Sequence, residues 1–387
     1  MPGESRAMAS PDDTVKPYVA LGMLYDSNFL RLSDRVDPVL ATGKSDKDDF
    51  IKRLSAGFTM DWAISRQHIV IKANTNQNWF QNFTTLDYLG WDIQTQWNWQ
   101  MGNNLNGEVG YNTVQELGSF ARINRLVPNL QNNQRYFANG GYLFHPRGKI
   151  KFGVFRDEYL FDDKTRKITD NVEDNAELNL QYLSPTGSIL GLRLLATEGQ
   201  YPQRQFTATS TQDNAYTRIN YALTCDWHAS EITRLNGWFG YTQQHYAHLN
   251  ERDFSGLTAR LDLTWQASEK TQLALIARRE ISQALNLFTN FVLIQGADLN
   301  LTWQPTQKIT LTLPLSYQQQ EFLGGGDINP GGGQEKDNVG NMGLNLRYSP
   351  LDNLSISTVL NYEKRESTDS LRSYDTQSAG INILAAF

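Results

Sequence analysis

The feature that most constrains the fold is a repeat with a period of about 40 residues. In each copy a large apolar, usually aromatic, residue ends a run of alternating apolar and polar residues, and a short polar turn follows. The copies begin at Trp62, Trp99, Phe144, Leu183, Trp227, Trp265, Trp303 and Tyr348, with successive spacings of 37, 45, 39, 44, 38, 38 and 45 residues. About 40 residues hold two strands and their connections, whereas a propeller blade of that length would need four strands. The repeat therefore predicts a series of β-hairpins.

The short turns alternate with longer segments rich in Gly, Asp, Asn, Ser and Thr. These longer segments lie near residues 27–48, 117–131, 160–172, 197–213, 244–253 and 322–336, and the last includes the Gly-rich run 324–333. Eight turns delimit seven complete hairpins, and one more hairpin lies at each end, which predicts nine hairpins and eighteen strands. An even strand number, short turns at one end and long loops at the other are typical of bacterial outer-membrane barrels.

Several runs alternate strictly, as in a strand whose two faces meet different surroundings. The clearest run places Leu257, Ala259, Leu261, Leu263 and Trp265 on one face and Thr258, Arg260, Asp262 and Thr264 on the other. A soluble sandwich or lipocalin-like barrel also alternates, with its apolar face inward. Aromatic residues at the short turns and charges in mid-strand on the polar face favour the membrane. We therefore predict an all-β fold, a transmembrane antiparallel up-and-down β-barrel of about 18 strands with short periplasmic turns and long extracellular loops.

Two other properties agree with this organisation. No apolar run approaches the roughly 18 to 20 residues that a membrane-spanning helix requires. The N-terminal segment, MPGESRAMASPDD, lacks the charged region and apolar core of a secretion signal. We expect a mature start, with residues 1–16 as a periplasmic extension and residues 17–387 as a single barrel.

The residues that end strands beside the short turns are expected to form the membrane girdle of the barrel. They are Trp62, Trp99, Phe144, Trp227, Trp265, Trp303, Tyr348 and Phe387. The chain stops at Phe387, at the end of a final strand with an apolar face. A last strand ending in Phe resembles the assembly signal of bacterial outer-membrane proteins, which implies the barrel assembly machinery as a partner.

The polar face is expected to line a water-filled interior. Its charged residues away from the rims are Arg53, Lys72, Arg193, Arg218, Arg260 and Arg278, with Asp92, Glu177, Asp262, Glu280 and Asp298 of opposite sign. Wall charges set the selectivity of a pore, so we predict a weak preference for anions. In the alternative interpretation these charges only pair with each other. Inward aromatic residues such as Tyr18 and Trp238 are candidates for a track on which sugar rings stack.

Three charged residues are expected at the periplasmic rim. Asp61 and Asp226 directly precede girdle residues, and so does Arg347. In this position they either guide an entering substrate or only contact solvent.

Composition and motifs exclude several other functions. The formal charge of −6 comes from 35 Lys and Arg against 41 Asp and Glu, scattered along the chain, so no basic footprint for nucleic acid exists. Cys225 is the only cysteine, which excludes a disulfide framework or a cysteine-based metal site. His245 and His248 would point to opposite faces of a strand, and we predict no metal site and no cofactor. Without a nucleophile elbow, zinc-protease motif or Walker sequence, no enzyme is predicted; a barrel enzyme or an adhesin is a less favoured alternative.

The first strand and its exit, residues 17–32, resemble the opening of the beta-barrel porin 2 family. More narrowly, the run Tyr25-Asp26-Ser27-Asn28-Phe29-Leu30-Arg31 is similar to exosortase-associated exopolysaccharide transporters of the EpsL type. This resemblance implies an outer-membrane channel of a Gram-negative cell that exports an exopolysaccharide. Its expected surroundings are outer-membrane lipid, lipopolysaccharide and periplasmic polysaccharide-export partners. A passive or sugar-uptake porin is the alternative.

Overall fold

The computed structural model describes residues 14–121, 126–207, 210, 212–283, 291–323 and 335–387. The Gly-rich run 324–333 lies outside the described residues, and so does the predicted extension up to residue 13.

Strands make up most of the described chain. They are β1 (Val15–Asp26), β2 (Asp49–Ile64), β3 (Gln67–Phe80), β4 (Tyr88–Met101), β5 (Leu105–Leu117), β6 (Leu130–His145), β7 (Gly148–Phe161), β8 (Asn171–Leu183), β9 (Ile189–Gln200), β10 (Ala215–Ser230), β11 (Thr233–Tyr246), β12 (Phe254–Ser268), β13 (Thr271–Gln283), β14 (Phe291–Thr306), β15 (Ile309–Leu323), β16 (Lys336–Leu351), β17 (Leu354–Ser367) and β18 (Tyr374–Ala386). With 12 to 16 residues each, they exceed the roughly 9 to 11 residues that cross the hydrocarbon layer. Their ends therefore extend beyond it.

Short turns and long connections alternate at the strand ends, as the repeat predicts. The described connections at the long-loop end contain the short helix α1 (Pro38–Thr42) and four 3₁₀ turns, at Thr84–Leu86, Lys167–Thr169, Asn250–Arg252 and Ser370–Arg372. The side chain of Asp37 caps α1 by accepting a hydrogen bond from the Val39 N–H, and Gly43, at φ 77°, ends it. No helix in the described part of the chain has the length and apolarity needed to span a membrane.

Antiparallel pairing closes the sheet. Each strand pairs with its neighbours in sequence, and β18 pairs with β1, with Tyr18 opposite Ala386 and Asp26 opposite Ser378. A closed barrel satisfies its backbone hydrogen bonds between strands and has no free edge, as a sheet in lipid requires. The eighteen-stranded up-and-down barrel predicted from the repeat is confirmed.

The two faces of the wall have opposite character. Large apolar side chains stand exposed on one face, among them Leu21 at 59%, Leu192 at 60% and Leu223 at 61%. On the other face, side chains contact strands two positions away: the Tyr18 hydroxyl on β1 donates to Asn74 Oδ1 on β3 at 3.1 Å. Such contacts require the concave side of a curved wall, where side chains converge. The polar face is therefore the interior, and the apolar face is the exterior that lipid covers.

Candidate functional site in the barrel interior

The inward charges on β12, β13 and β14 form a series of ion pairs. Arg260 Nε lies 3.1 Å from Asp262 Oδ2 on the same strand, and Arg260 Nη1 lies 3.9 Å from Glu280 Oε2 on β13. Arg278 Nη2 lies 3.4 Å from Asp298 Oδ2 on β14. Because opposite charges meet along the wall, this part of the interior is close to neutral.

Two further arginines are held by partners on β8 to β11. Arg218 Nη2 lies 2.9 Å from Glu173 Oε1. Arg193 Nη2 donates to Asn220 Oδ1 at 2.9 Å, and its guanidinium carbon lies 4.7 Å from the centre of the Trp238 ring. Both arginines are therefore fixed against the wall rather than extended into the lumen.

The predicted aromatic track of Tyr18 and Trp238 does not form. Tyr18 lies on β1 and Trp238 on β11, which are on opposite sides of the eighteen-stranded ring. The guanidinium of Arg193 also stacks on the Trp238 ring. The separation of Tyr18 and Trp238 follows from the strand order, which the sequence already predicts. The stacking of Arg193 on Trp238 depends on side-chain conformation, which the sequence does not give.

The remaining predicted pore-lining residues also lie on the interior face. Arg53 Nε donates to Asn78 Oδ1 at 2.7 Å. Lys72, Asp92 and Glu177 are placed on the same face of β3, β4 and β8 by their register. The structure thus gives the positions of these residues. Their influence on the passage of solutes through the channel stays a prediction.

Amide side chains dominate the interior of β3 and β4. Asn74, Asn76 and Asn78 point inward on β3, and Gln94, Gln96 and Asn98 do so on β4. Neighbouring amides bond to each other, for example Asn78 Nδ2 to Asn76 Oδ1 at 2.6 Å and Gln96 Nε2 to Asn98 Oδ1 at 2.8 Å. Each amide both donates and accepts hydrogen bonds, as sugar hydroxyls do.

The residues predicted at the short-turn rim are exposed or partly exposed there. Asp226 accepts hydrogen bonds from Arg234 Nε at 2.8 Å and Nη2 at 2.6 Å. Asp61 pairs with His68 across the β2–β3 hairpin. Arg347 points inward and is exposed.

The predicted girdle residues lie on the exterior at the same end. Trp62, Phe144, Trp227, Trp265, Trp303, Tyr348 and Phe387 are exposed. Trp99 is half-buried because its ring lies over Gly107 of β5, where a Cβ would come within 2.5 Å of the ring. Such a close approach of a ring to the backbone requires glycine.

The run Tyr25–Arg31, which carries the EpsL-type similarity, folds into a tightly bonded turn at the exit of β1. Arg31 Nη1 donates to both carboxylate oxygens of Asp26, at 3.0 and 2.9 Å. Asn28 Nδ2 donates to the Leu32 carbonyl at 2.8 Å, and Asn28 Oδ1 accepts from the Leu32 N–H at 2.9 Å. Thr376 on β18 donates to Asp26 at 2.7 Å, which fixes the turn to the wall.

This turn directs the chain into an apolar cluster, here called the mouth cluster. Its buried members are Leu30, Leu32, Ile51, Phe80, Phe83, Leu86 and Phe120. They come from three different connections at the long-loop end and from inward positions on β2 and β3. The connections therefore fold against the inside of the barrel mouth.

One connection reaches across the opening. Arg365 on β17 donates from Nη1 to the Ala121 carbonyl, in the β5–β6 connection, at 2.9 Å. In the wall, β17 and β5 are separated by five strands. Arg365 also forms an ion pair with Asp337, and the two residues are 3% and 0% exposed. Sequence analysis missed this arrangement, although the apolar residues within polar loops were its signal.

The β9–β10 connection begins at Tyr201, which also packs against inward side chains of the wall. Tyr201 is buried together with the inward residues Tyr216 and Tyr246 and with Phe291 at the start of β14. The guanidinium carbon of Arg204 lies 3.9 Å from the centre of the Tyr201 ring. Burial raises the pKa of Tyr201 to about 12.

Asp213 links the β9–β10 connection to the β11–β12 connection by hydrogen bonds. The Asp213 carboxylate accepts hydrogen bonds from the N–H groups of His248 and Leu249, at 2.6 and 2.9 Å, and lies 2.9 Å from His248 Nδ1. Although burial alone would raise it, these hydrogen bonds lower the pKa of the Asp213 carboxyl below its ordinary value. The contact is therefore strongest with the carboxyl ionised.

Metal-ligating side chains do not gather in the described ranges. No three His, Cys, Asp or Glu residues there lie close enough to hold an ion. His245 and His248 contact different carboxylates, Asp253 and Asp213.

A closed antiparallel barrel with an apolar exterior, an aromatic girdle and a polar interior defines an outer-membrane channel of the porin type, located in the outer membrane of a Gram-negative bacterium. Residues 228–387 match the family model described as "Putative beta-barrel porin 2". This match confirms the resemblance to that family, over the second half of the barrel.

The chain is also similar to several solved structures. The outer-membrane protein OpdK of Pseudomonas aeruginosa is 11% identical, with 96% of this chain and 99% of that chain covered and a TM-score of 0.49. OccAB3 of Acinetobacter baumannii is 9% identical, with 96% and 99% covered and a TM-score of 0.48. No curated protein matches the chain significantly.

Proposed function

We propose that this channel exports an exopolysaccharide through its interior. The observation that carries the proposal is the chemistry of the wall, in which amides are abundant and three of the inward arginines are paired with carboxylates. A polymer of sugars presents many hydroxyl groups and little apolar surface. Amides can exchange hydrogen bonds with successive hydroxyls, because both kinds of group donate and accept.

The paired charges support the same reading. A free Arg would hold a carboxylate or phosphate bidentately and slow its release. Arg218, Arg260 and Arg278 instead lie against Glu173, Asp262 and Asp298. Conduction needs sites that bind weakly enough to release their cargo, and arginines that are already paired with carboxylates meet this condition for a long polymer.

The EpsL-type similarity gives a second line of support. Its seven residues form the turn that sends the β1–β2 connection into the mouth cluster. An exported polymer would meet this cluster last, on its way out of the long-loop end. The similarity therefore falls on a part of the channel that would control exit.

The proposal includes partners and assigns no catalysis. Periplasmic polysaccharide-export proteins would deliver the polymer to the short-turn end. The exterior contacts outer-membrane lipid and lipopolysaccharide, and the barrel assembly machinery would insert the chain. No enzymatic step is proposed for the interior.

Single-channel conductance in a planar bilayer tests the proposal, with neutral and anionic polysaccharides added to each side in turn. Export predicts that one polymer class blocks the current from the short-turn side and that its chains reach the opposite side. A steady current that every polymer leaves unchanged would refute it.

Passive or sugar uptake is the second candidate. A nutrient would enter at the long-loop end. The mouth cluster and the contact between Arg365 and Ala121 narrow the opening of the barrel at that end. Uptake predicts that small sugars block from the long-loop side and that long polymers block from neither side.

A further inference from the structure

We infer that a pocket in the interior wall of β5 to β8 is a subsite for one neutral sugar residue of the transported polymer. The inference rests on the proposed function and names the ligand class of one place in the channel. The pocket has a volume of about 340 Å³, at the lower end of the roughly 300 to 1,000 Å³ typical of small-molecule sites. One sugar ring is an occupant of suitable size.

The strand register builds the pocket from successive rows of inward residues. One row contains Phe137 and Phe155, which lie directly opposite each other on β6 and β7. The next row towards the short turns contains Glu108, Asn139, Gly153 and Glu177. An aromatic row beside a row of hydrogen-bonding groups is the combination that a sugar ring needs, because its C–H face packs on an aromatic plane while its hydroxyls need polar partners.

Phe137 is the stacking platform. Its ring occupies the space above Gly110 on β5, where a Cβ would come within 2.3 Å of Phe137 Cζ. The glycine therefore lets the ring lie against the wall. The neighbouring ring of Phe155 is covered by the guanidinium of Arg135, 4.3 Å from its centre. Phe137 is left as the platform for a ligand.

Oriented polar groups surround the platform. Glu108 Oε1 accepts from Asn139 Nδ2 at 2.8 Å, and Glu108 Oε2 accepts from Gln96 Nε2 at 2.6 Å. Each carboxylate oxygen keeps a further lone pair for a hydroxyl donor. Gly153 keeps the floor of the pocket free of a side chain, and a Cβ there would lie in tight contact with Asn139 Cβ, at 3.3 Å.

The charges select a neutral ring over an acidic one. Glu108 and Glu177 line the pocket together with Lys151 and Arg135. Arg135 is paired with Asp157 at 3.3 Å. Two carboxylates against one lysine disfavour a uronic acid, because the carboxylate of such a sugar is repelled by like charges at this range.

The experiment measures block of the single-channel current by cellohexaose and, in parallel, by hexagalacturonate. Phe137→Leu keeps apolar bulk and removes the aromatic plane, and Gly153→Trp fills the pocket. The matched control is Val359→Trp. Val359 points inward on β17 and stands five residues after the strand start, as Gly153 does on β7. It thus places the same side chain at a similar depth outside the pocket.

We expect cellohexaose to bind the unmodified channel more tightly than hexagalacturonate. Phe137→Leu should weaken cellohexaose block about 3- to 10-fold, and Gly153→Trp should abolish it, with Val359→Trp close to the unmodified protein. Unchanged block in both pocket variants, equal loss in Val359→Trp, or tighter block by hexagalacturonate would each overturn the subsite while the channel function stands. A barrel that conducts no ions and admits no sugar would refute the proposed function and the subsite together.

Discussion

An arginine on each face of one strand tests the assignment of the two faces. Leu299 and Asn300 are adjacent near the middle of β14. Leu299 lies on the exterior between Leu275 and Leu315, and Asn300 lies on the interior between Ala274 and Pro314. Leu299→Arg and Asn300→Arg therefore introduce the same charge at the same depth, once towards lipid and once towards water.

The depth follows from the position of the girdle. Leu299 lies four positions before Trp303, and these four steps determine its distance from the girdle. With a rise of about 3.4 Å per residue and a tilt of about 40°, they span about 10 Å along the membrane normal. The apolar band is about 25 Å tall, so Leu299 lies near its midplane, where Arg costs about 2–4 kcal/mol. We therefore expect Leu299→Arg to lower the folding equilibrium constant roughly 30- to 900-fold.

The assay is reversible urea unfolding of the barrel in lipid vesicles, followed by tryptophan fluorescence. Asn300→Arg should stay within about 1 kcal/mol of the unmodified protein, because water in the lumen solvates the new charge. Equal destabilisation by both variants would contradict a wet interior. Destabilisation by Asn300→Arg alone would mean that the assignment of the faces is inverted.

Three further predictions concern the interior and the mouth. In a Cys225→Ser background, Arg260→Cys and Asp262→Cys should react with a water-soluble maleimide. Leu261→Cys should not react, because the register places Leu261 on the lipid side. The reverse pattern would disprove the register. The pKa of Asp213 is lower in the folded state than in the unfolded state. Its stabilising contribution is therefore complete above the ordinary Asp pKa of about 4, and it is lost as the pH falls through the lower pKa of the folded state. Pepsin should therefore cut the connection 201–214 faster as the pH drops, and Asp213→Asn should remove that dependence; a pH dependence that survives in Asp213→Asn would assign it to another group. Arg365→Ala should destabilise the barrel by about 3–5 kcal/mol because buried Asp337 loses its ion pair with Arg365. Arg365→Ala/Asp337→Ala should be less destabilised in the same urea assay, and a double variant as unstable as the single one would show that the broken ion pair is not the cause.

The wall of the barrel could be predicted from sequence because its rules are local. Strict alternation fixes the face of each residue, so positions such as Arg260 and Leu261 follow from the pattern itself. The aromatic residues beside the turns mark one end of each strand. The pairing of Arg278 with Asp298 could not be predicted in this way. It depends on the stagger between β13 and β14 and on side-chain rotamers, which the sequence of a single strand does not encode.

The pocket shows the same limit. Gly110 and Phe137 are 27 positions apart in the sequence and directly opposite each other in the register. The pattern marks each as an inward residue, but it cannot show that the ring lies over the glycine. That relation appears only when the strands are paired.

The folding of the loops into the mouth has a different physical origin. In an eighteen-stranded barrel the wall side chains cannot fill the lumen, so inward apolar residues such as Ile51 and Phe80 need partners from elsewhere. The connections supply Leu30, Phe83 and Phe120, whose exposure to water at a loop tip would cost the transfer free energy of large apolar side chains. Burial against the inner wall avoids that cost. Composition alone does not indicate this arrangement, because the few apolar residues that decide the position of these loops are outnumbered by polar ones.

The turn at Asp26–Arg31 then determines where the first loop goes. Asp26, Asn28 and Arg31 bond within one short segment, so this geometry is encoded locally, like the strands. Arg31, at φ 57°, adopts the left-handed conformation that non-glycine residues rarely take, and its two bonds to Asp26 offset that strain. Loss of the Asp26 carboxylate would free the strained residue and release Leu30 and Leu32 from the mouth. The seven residues Tyr25–Arg31 thus specify a turn that directs the first connection into the mouth, while apolar residues such as Leu30 and Leu32 hold that connection against the inner wall.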